Sequence, residues 1–323
     1  MNIREKISEI IESELHPIPN IKRDISHKFY YRDYKDNLIY SMAPQHFQEY
    51  TNADGGELEP TGRKPAKMAS IASSSAMTFN LLGNYSVSVK EGQRFSPGQY
   101  SITYEKQLYT LKKGSKAANL DAFLKNEIER EAIFCEMKML EWIGPPPALK
   151  ASYLDPAYYF CGDAYDVFHR IAISLRRSEQ ANDNNAYPSL FRQYDAWQMF
   201  KHTLAIYNAT SESTVEEINK KAPGSSMCGQ FDKITLTNVV FEMDLSLIAD
   251  SKLRQKYSIA LDCERREADL FFQTMLCQEY GLLDLFRRNC RINFEICYLP
   301  ASVFTQSLIK TPAECLALRR YCC

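Results

Sequence analysis

The ten cysteines of this sequence include no C-x-x-C pair and no other regular spacing. This absence argues against a zinc knuckle and against a disulfide framework. No apolar run approaches the ~18 residues that a membrane-spanning helix needs. The charged first residues also lack the apolar segment of a signal peptide. We therefore expect free thiols and a cytoplasmic protein.

The sequence also lacks a marked excess of positive or negative charge. The chain has 39 Lys and Arg residues against 40 Asp and Glu residues, so its formal net charge is −1. The molecule as a whole therefore does not attract nucleic acid, and any such binding needs a local basic surface. No Gly-rich phosphate loop supports the use of nucleoside triphosphates. The 5 histidines show no metal-ligand spacing, which argues against a zinc or iron site.

Apolar periodicity nevertheless predicts helices and strands in a clear order. The predicted helices cover residues 2–15, 67–82, 156–178, 188–208 and about 250–279. The predicted strands cover residues 99–110, 117–125, 131–140, 233–243 and 291–298. Short connections between the first three strands indicate an antiparallel meander. This order predicts an α/β fold with a mixed central sheet flanked by helices, an α-β-β-β-α-β core with an added helix and strand.

Two parts of unequal size follow from this order. Residues 1–65 would form an N-terminal helix, ended at residues 16–19, and an irregular arm that packs on the core. Residues 66–323 would form the main domain.

The segment 132–140 is apolar and of strand length, yet it contains Glu136 and Lys138. Side chains two positions apart in a strand point to the same face. Burying either charge alone costs roughly several kcal/mol, even after the surrounding structure relaxes. The two groups must therefore pair with each other or bind a ligand. The preceding strand carries one acid, Asp121, and the strand before it carries Glu105 next to Tyr104.

An acid-x-Lys triplet alone is weak evidence, because the chain also contains Asp33-Tyr34-Lys35 and Asp250-Ser251-Lys252. The first lies in a polar loop and the second at a predicted helix start. Only Glu136-Met137-Lys138 has apolar neighbours on both sides and follows a strand with its own acid. A structural ion pair on a half-exposed strand is the alternative interpretation.

These residues can support metal-dependent phosphodiester hydrolysis. Asp121, Glu136 and the Met137 backbone carbonyl offer the hard oxygen ligands that Mg²⁺ or Mn²⁺ prefers. Lys138 could orient a metal-bound water and offset charge on the phosphorane, and in the absence of metal it could neutralise the two acids. Parity places Asn119, Asp121 and Phe123 on one strand face. Glu105 is a candidate additional ligand or water-positioning group.

The order of elements and the motifs resemble the PD-(D/E)XK nuclease superfamily, and within it a bacterial restriction-endonuclease-like family. The resemblance spans roughly residues 66–300 and implies a restriction-endonuclease-like mixed sheet. The residues that carry it are the Ser-rich segment 72–83, Tyr104-Glu105, Asn119-Leu120-Asp121, Phe134-Cys135-Glu136-Met137-Lys138 and the helix around 194–208. It implies that Asp121 and Glu136 are metal ligands and that Lys138 is the catalytic lysine. Leu120 stands where the superfamily name has proline.

The helix predicted at 188–208 carries Asp195, Gln198 and His202 on one polar face. In the superfamily this helix flanks the active site, which implies that Gln198 and His202 contact phosphate or water. A solvated helix face is the alternative. His169 reads as a partly buried helix residue.

The resulting hypothesis is a Mg²⁺-dependent endonuclease that acts on DNA. A local basic surface would contact the phosphates; its candidate residues are Lys106, Lys112, Lys113, Lys116, Arg170, Arg176 and Arg177. Two alternatives are a catalytically inactive nuclease-like fold that serves as a binding or scaffold module, and a hydrolase of small phosphoesters. The oligomeric state stays open, a homodimer included.

Overall fold

The computed structural model of the chain describes residues 2–15, 24, 26–53, 56–92 and 94–321. Residues 16–19, where we expect the first helix to end, lie outside the described part of the chain, as do pieces of the expected arm.

A mixed six-stranded sheet forms the centre of the fold, with strand order β1-β2-β3-β4-β7-β8. Strands β1 to β4 pair in antiparallel fashion, whereas β7 lies parallel to β4 and β8 parallel to β7. The six strands are β1 (Ser86–Val89), β2 (Gly98–Leu108), β3 (Ala118–Asn126), β4 (Glu131–Lys138), β7 (Lys233–Val240) and β8 (Asn293–Pro300). Strands β5 (Leu149–Lys150) and β6 (Ala186–Tyr187) form a separate antiparallel pair.

Helices cover both faces of the sheet. They are α1 (Ile3–Ile10), α2 (Pro44–Asn52), α3 (Ser74–Leu82), α4 (Gly162–Leu175), α5 (Ala196–Thr210), α6 (Val215–Lys221), α7 (Ser251–Met275), α8 (Leu282–Cys290), α9 (Ala301–Gln306) and α10 (Pro312–Ala317). A π-helical turn, Ile11–Leu15, continues α1, and a 3₁₀ turn, Lys67–Ala69, precedes α3. The predicted α/β class, with a mixed sheet between helices, is confirmed.

Two hydrophobic cores lie on the two faces of the sheet. The first core joins α4, α5, α8 and the second half of α7 to one face, and the second core joins α1, α2, α3 and the first half of α7 to the other. Because α7 is 25 residues long, it reaches both cores. Ile7 and Tyr50 of the N-terminal segment are fully buried in the second core.

Two predicted helices begin later in the structure than their apolar spacing suggested. The helix expected from residue 67 begins at Ser74, where the Ser73 side chain accepts a hydrogen bond from Ala76 N. The helix expected from residue 188 begins at Ala196, after Asp195 as its N-cap. Leu190, which falls inside the predicted range, precedes the helix and is 46% exposed. In both cases a side-chain cap sets the start of the helix.

The long helix α7 begins as predicted, with Asp250 as N-cap, but it ends at Met275. Helix α8 and strand β1 were not predicted, because α8 has only 9 residues and β1 only 4, which is too short for a periodic pattern to identify them. None of the helices in the described ranges is both long and apolar enough to cross a membrane.

Candidate active site

The site forms where β3 separates from β4. Pairing of these strands ends at Ala122 and Cys135, so the last three residues of β4 have no β3 partner. The regular alternation of β3 also breaks here. Leu120 packs in the first core together with Phe123, whereas Ala122 packs in the second. The strict alternation from which we expected Asn119, Asp121 and Phe123 to share one face is therefore interrupted in this part of β3.

Strand β2 bends at the same level. Glu105 has a left-handed backbone (φ 50°), and the pairing of β2 with β3 skips Glu105 and Asp121. Glu49 of α2 supports the bend, because its carboxylate accepts a hydrogen bond from Tyr104 N at 3.0 Å. Left-handed backbone costs a non-glycine residue about 1 kcal/mol or more. The N-terminal segment thus helps to hold a strained strand next to the site.

Asp121 fills the gap that the separating strands leave. Its Oδ2 accepts a hydrogen bond of 2.6 Å from Met137 N, in place of a backbone carbonyl. Burial, followed by the negative charges of Glu136 and Glu105, raises the pKa of Asp121 well above its usual value. The structure thus brings Asp121, Glu105 and Glu136 close enough to interact electrostatically.

Glu136 lies at the centre of the site, and only 3% of its surface is exposed. Its Oε1 is 2.9 Å from Lys138 Nζ, and its Oε2 is 2.9 Å from His202 Nε2. Burial alone would raise the pKa of Glu136, but Lys138 and His202 outweigh it and lower the pKa to about 2. Glu136 is therefore a carboxylate at any physiological pH.

Helix α5 completes the network from above the sheet. Lys138 Nζ donates a 2.6 Å hydrogen bond to Gln198 Oε1, one helical turn before His202. Despite burial, the neighbouring carboxylates raise the pKa of Lys138, Glu136 most strongly. The structure thus places four candidate residues in one network, namely Glu136, Lys138, Gln198 and His202. Asp195 is not among them, because it caps the helix.

The chemistry of the oxygen donors fits a divalent metal ion. Asp121, Glu136 and the Met137 carbonyl are hard ligands of the type that Mg²⁺ prefers. No group of three or more His, Cys, Asp or Glu side chains in the described ranges could hold a metal ion. Asp121, Glu136 and the candidate additional ligand Glu105 therefore do not form such a group, and the predicted ligands that remain are two carboxylates and the Met137 carbonyl. Lys138 and His202 each bond to one oxygen of Glu136, so a metal ion would use the remaining lone pairs of these oxygens or displace one of the two contacts.

A narrow cleft of about 60 Å³ opens beside Glu136 and Lys138. We call it the acidic cleft, because Glu141, Asp195 and Glu264 also line it. Glu264 of α7 is 1% exposed, and its Oε2 has no hydrogen-bond partner among the described residues. Burial, with nearby Glu267, raises the pKa of Glu264 to about 8.

Sequence reasoning missed Glu264, although a signal existed. Helix α7 buries an apolar stripe at Leu253, Tyr257, Leu261, Ala268 and Phe271, and Glu264 falls at a stripe position. An acid in such a stripe is as informative as Glu136 in its apolar strand. At a buried position it must pair with a cation, bind a ligand or stay protonated.

Glu264 should make the stability of the protein depend on pH. Its pKa is about 4.5 when exposed and about 8 when folded, so its contribution to folding is complete below about pH 4.5 and is lost as the pH rises to about 8. Each pKa unit corresponds to ~1.4 kcal/mol. We compare the free energy of unfolding of Glu264→Gln with that of wild type at two pH values. We expect this difference to favour the variant by at least ~2 kcal/mol more at about pH 8 than at about pH 5.

Urea unfolding at the two pH values measures this effect. Asp269→Asn, an exposed substitution on the same helix, is the matched control and should show no such gain. If the difference in unfolding free energy between Glu264→Gln and wild type does not change with pH, the raised pKa of Glu264 is contradicted.

The expected basic surface is partly engaged in other contacts. The Lys106 ammonium lies 5.6 Å from the centre of the Phe123 ring, and Lys113 lies 5.4 Å from that of Tyr158. Arg170 donates to two backbone carbonyls near the end of α7. These contacts leave fewer cations for phosphate than the sequence suggested.

Comparison with protein-family models, curated proteins and solved structures found no match to this chain.

Proposed function

We propose that this protein is a metal-dependent endonuclease that hydrolyses DNA phosphodiester bonds. The observation that carries the proposal is Glu136, a buried carboxylate between Lys138 and His202, at the point where β3 leaves β4 and Asp121 bonds to Met137 N. A structural ion pair needs neither the second acid nor the strand separation. The order α3, β2, β3, β4, α5, β7 also supports a restriction-endonuclease-like core.

Each residue then has a defined task. Asp121, Glu136 and the Met137 carbonyl would hold Mg²⁺ or Mn²⁺, which polarises a phosphoryl oxygen and acidifies a bound water. Lys138 neutralises the carboxylates and can turn its ammonium toward the phosphate. Gln198 fixes Lys138, and His202 fixes Glu136.

The first test is the nicking of supercoiled plasmid by the wild-type protein. We expect open-circular product with Mg²⁺ or Mn²⁺ and none with EDTA, because the acids alone cannot generate hydroxide near neutral pH. Gel electrophoresis of a time course measures the rate. Equal product with and without metal, or no product with any divalent ion, would refute the proposal.

One observation favours a second function, a non-catalytic binding module with a nuclease-like fold. Lys138 and His202 bond to the two oxygens of Glu136, and Met137 N bonds to one oxygen of Asp121, so protein groups already stabilise both acids without a metal ion. Titration calorimetry with Mn²⁺ separates the two functions. Binding that depends on Glu136 favours the nuclease, and its absence favours the module.

A further inference from the structure

A second pocket adjoins the acidic cleft, and Gln198 lines both. Its volume is about 360 Å³, within the ~300–1,000 Å³ of pockets that hold small organic ligands. We call it the lysine pocket, because Lys116, Lys150 and Lys201 line it, together with Tyr153 and His202. It is larger than a single phosphate group requires.

The charge of this pocket is opposite to that of the cleft. No carboxylate occurs among its described lining residues, whereas four line the acidic cleft. Lys201 is half-buried, and its ammonium makes no hydrogen bond or ion pair with any described residue. Burial accordingly lowers the pKa of Lys201. An anion in the pocket would supply the counter-charge that Lys201 lacks.

His202 connects the two cavities. Its Nε2 bonds to Glu136, while its Nδ1 has no hydrogen-bond partner among the described residues. The residue lines the lysine pocket and is only 2% exposed, so the solvent offers Nδ1 little compensation. A buried polar atom without a partner is costly. Because Nε2 is the donor to Glu136, Nδ1 is left to accept, and a hydroxyl or amino group of a ligand in the pocket would satisfy it.

We propose that the lysine pocket binds a nucleotide of the substrate, with its phosphate held by Lys150 and Lys201 and a hydroxyl or amino group of its sugar or base donating to His202 Nδ1. The remaining volume takes the sugar and base, and the ring of Tyr153 lies in the wall. A nucleotide bound there contacts the same histidine that holds Glu136, which sets the adjacent phosphodiester beside the carboxylates. The role in cleavage rests on the proposed nuclease function, but the binding itself does not.

Calorimetry in EDTA tests the binding without any reaction. The probes are deoxyadenosine 5′-monophosphate and inorganic phosphate. We expect the nucleotide to bind more tightly than phosphate, and Lys150→Met and Lys201→Met each to weaken nucleotide binding at least tenfold. Lys201→Arg, which keeps the charge, should retain most of the affinity. Lys252→Met, an exposed lysine on α7, is the matched control and should bind like wild type.

Each outcome decides something. No nucleotide binding by the wild type, or equal affinity in the lysine variants and wild type, would overturn the inference. Equal affinity for phosphate and nucleotide would reduce the pocket to an anion site. If the nucleotide binds as expected but plasmid is not nicked, the nuclease proposal fails while the pocket stands. If plasmid is nicked and the variants leave its KM unchanged, the pocket has no part in substrate binding.

Discussion

The variant Glu136→Gln should nick plasmid DNA more than ~100-fold more slowly than wild type. Loss of a group that only supports a metal ligand typically costs ~10–100-fold, so loss of a ligand itself should cost more. Glutamine keeps the shape of the side chain and one oxygen acceptor, but it removes the charge that Lys138 and a metal ion both need. Initial rates at saturating Mg²⁺ measure the effect.

Strand β4 itself provides a matched control. Glu131 is also fully buried, and it pairs with Lys233 at 3.0 Å and accepts a hydrogen bond from Tyr100. Glu131→Gln therefore removes the same charge from the same strand, but at the end away from the site. We expect it to lower stability and to leave the nicking rate of the folded protein within a few-fold of wild type. Similar losses in both variants would show that Glu136 is structural only.

The features that sequence reasoning found are those that depend on neighbours in the chain. The meander of β2, β3 and β4 follows from alternating apolar residues and short turns, and the structure confirms it. Glu136 and Lys138 stood out because two charges in an apolar strand are improbable without a partner. The helix partners Gln198 and His202 were found through helical spacing combined with a family resemblance.

The features that sequence reasoning missed depend on contacts between distant segments. The break in alternation at Asp121 arises because β2 bends at Glu105, which α2 supports through Glu49. No local sequence pattern encodes such a bend, because alternating apolar residues predict only that the strand continues regularly. The lysine pocket likewise joins Lys116, Lys150 and Lys201, which lie on three separate segments. Only the fold brings them together.

The largest effect on stability should come from Lys138→Met. The substitution leaves Glu136 with His202 as its remaining side-chain partner and deprives Gln198 of its donor. Removal of one member of a buried ion pair costs ~3–5 kcal/mol, and the Lys138 side chain, at 15% exposure, retains some solvent contact. We expect a loss of ~2–4 kcal/mol in urea unfolding.

The double variant Glu136→Gln/Lys138→Met separates a catalytic pair from a stabilising one. Once both charges are gone, no unpaired charge stays buried, so the double variant should be more stable than Lys138→Met alone. Replacement of a whole buried ion pair by uncharged residues of similar size is often neutral or stabilising, so a double variant at least as stable as wild type would show that stability alone does not account for the charged pair. If the double variant is instead less stable than both wild type and Lys138→Met, the charged pair serves the fold. The case for a nuclease then loses its main support.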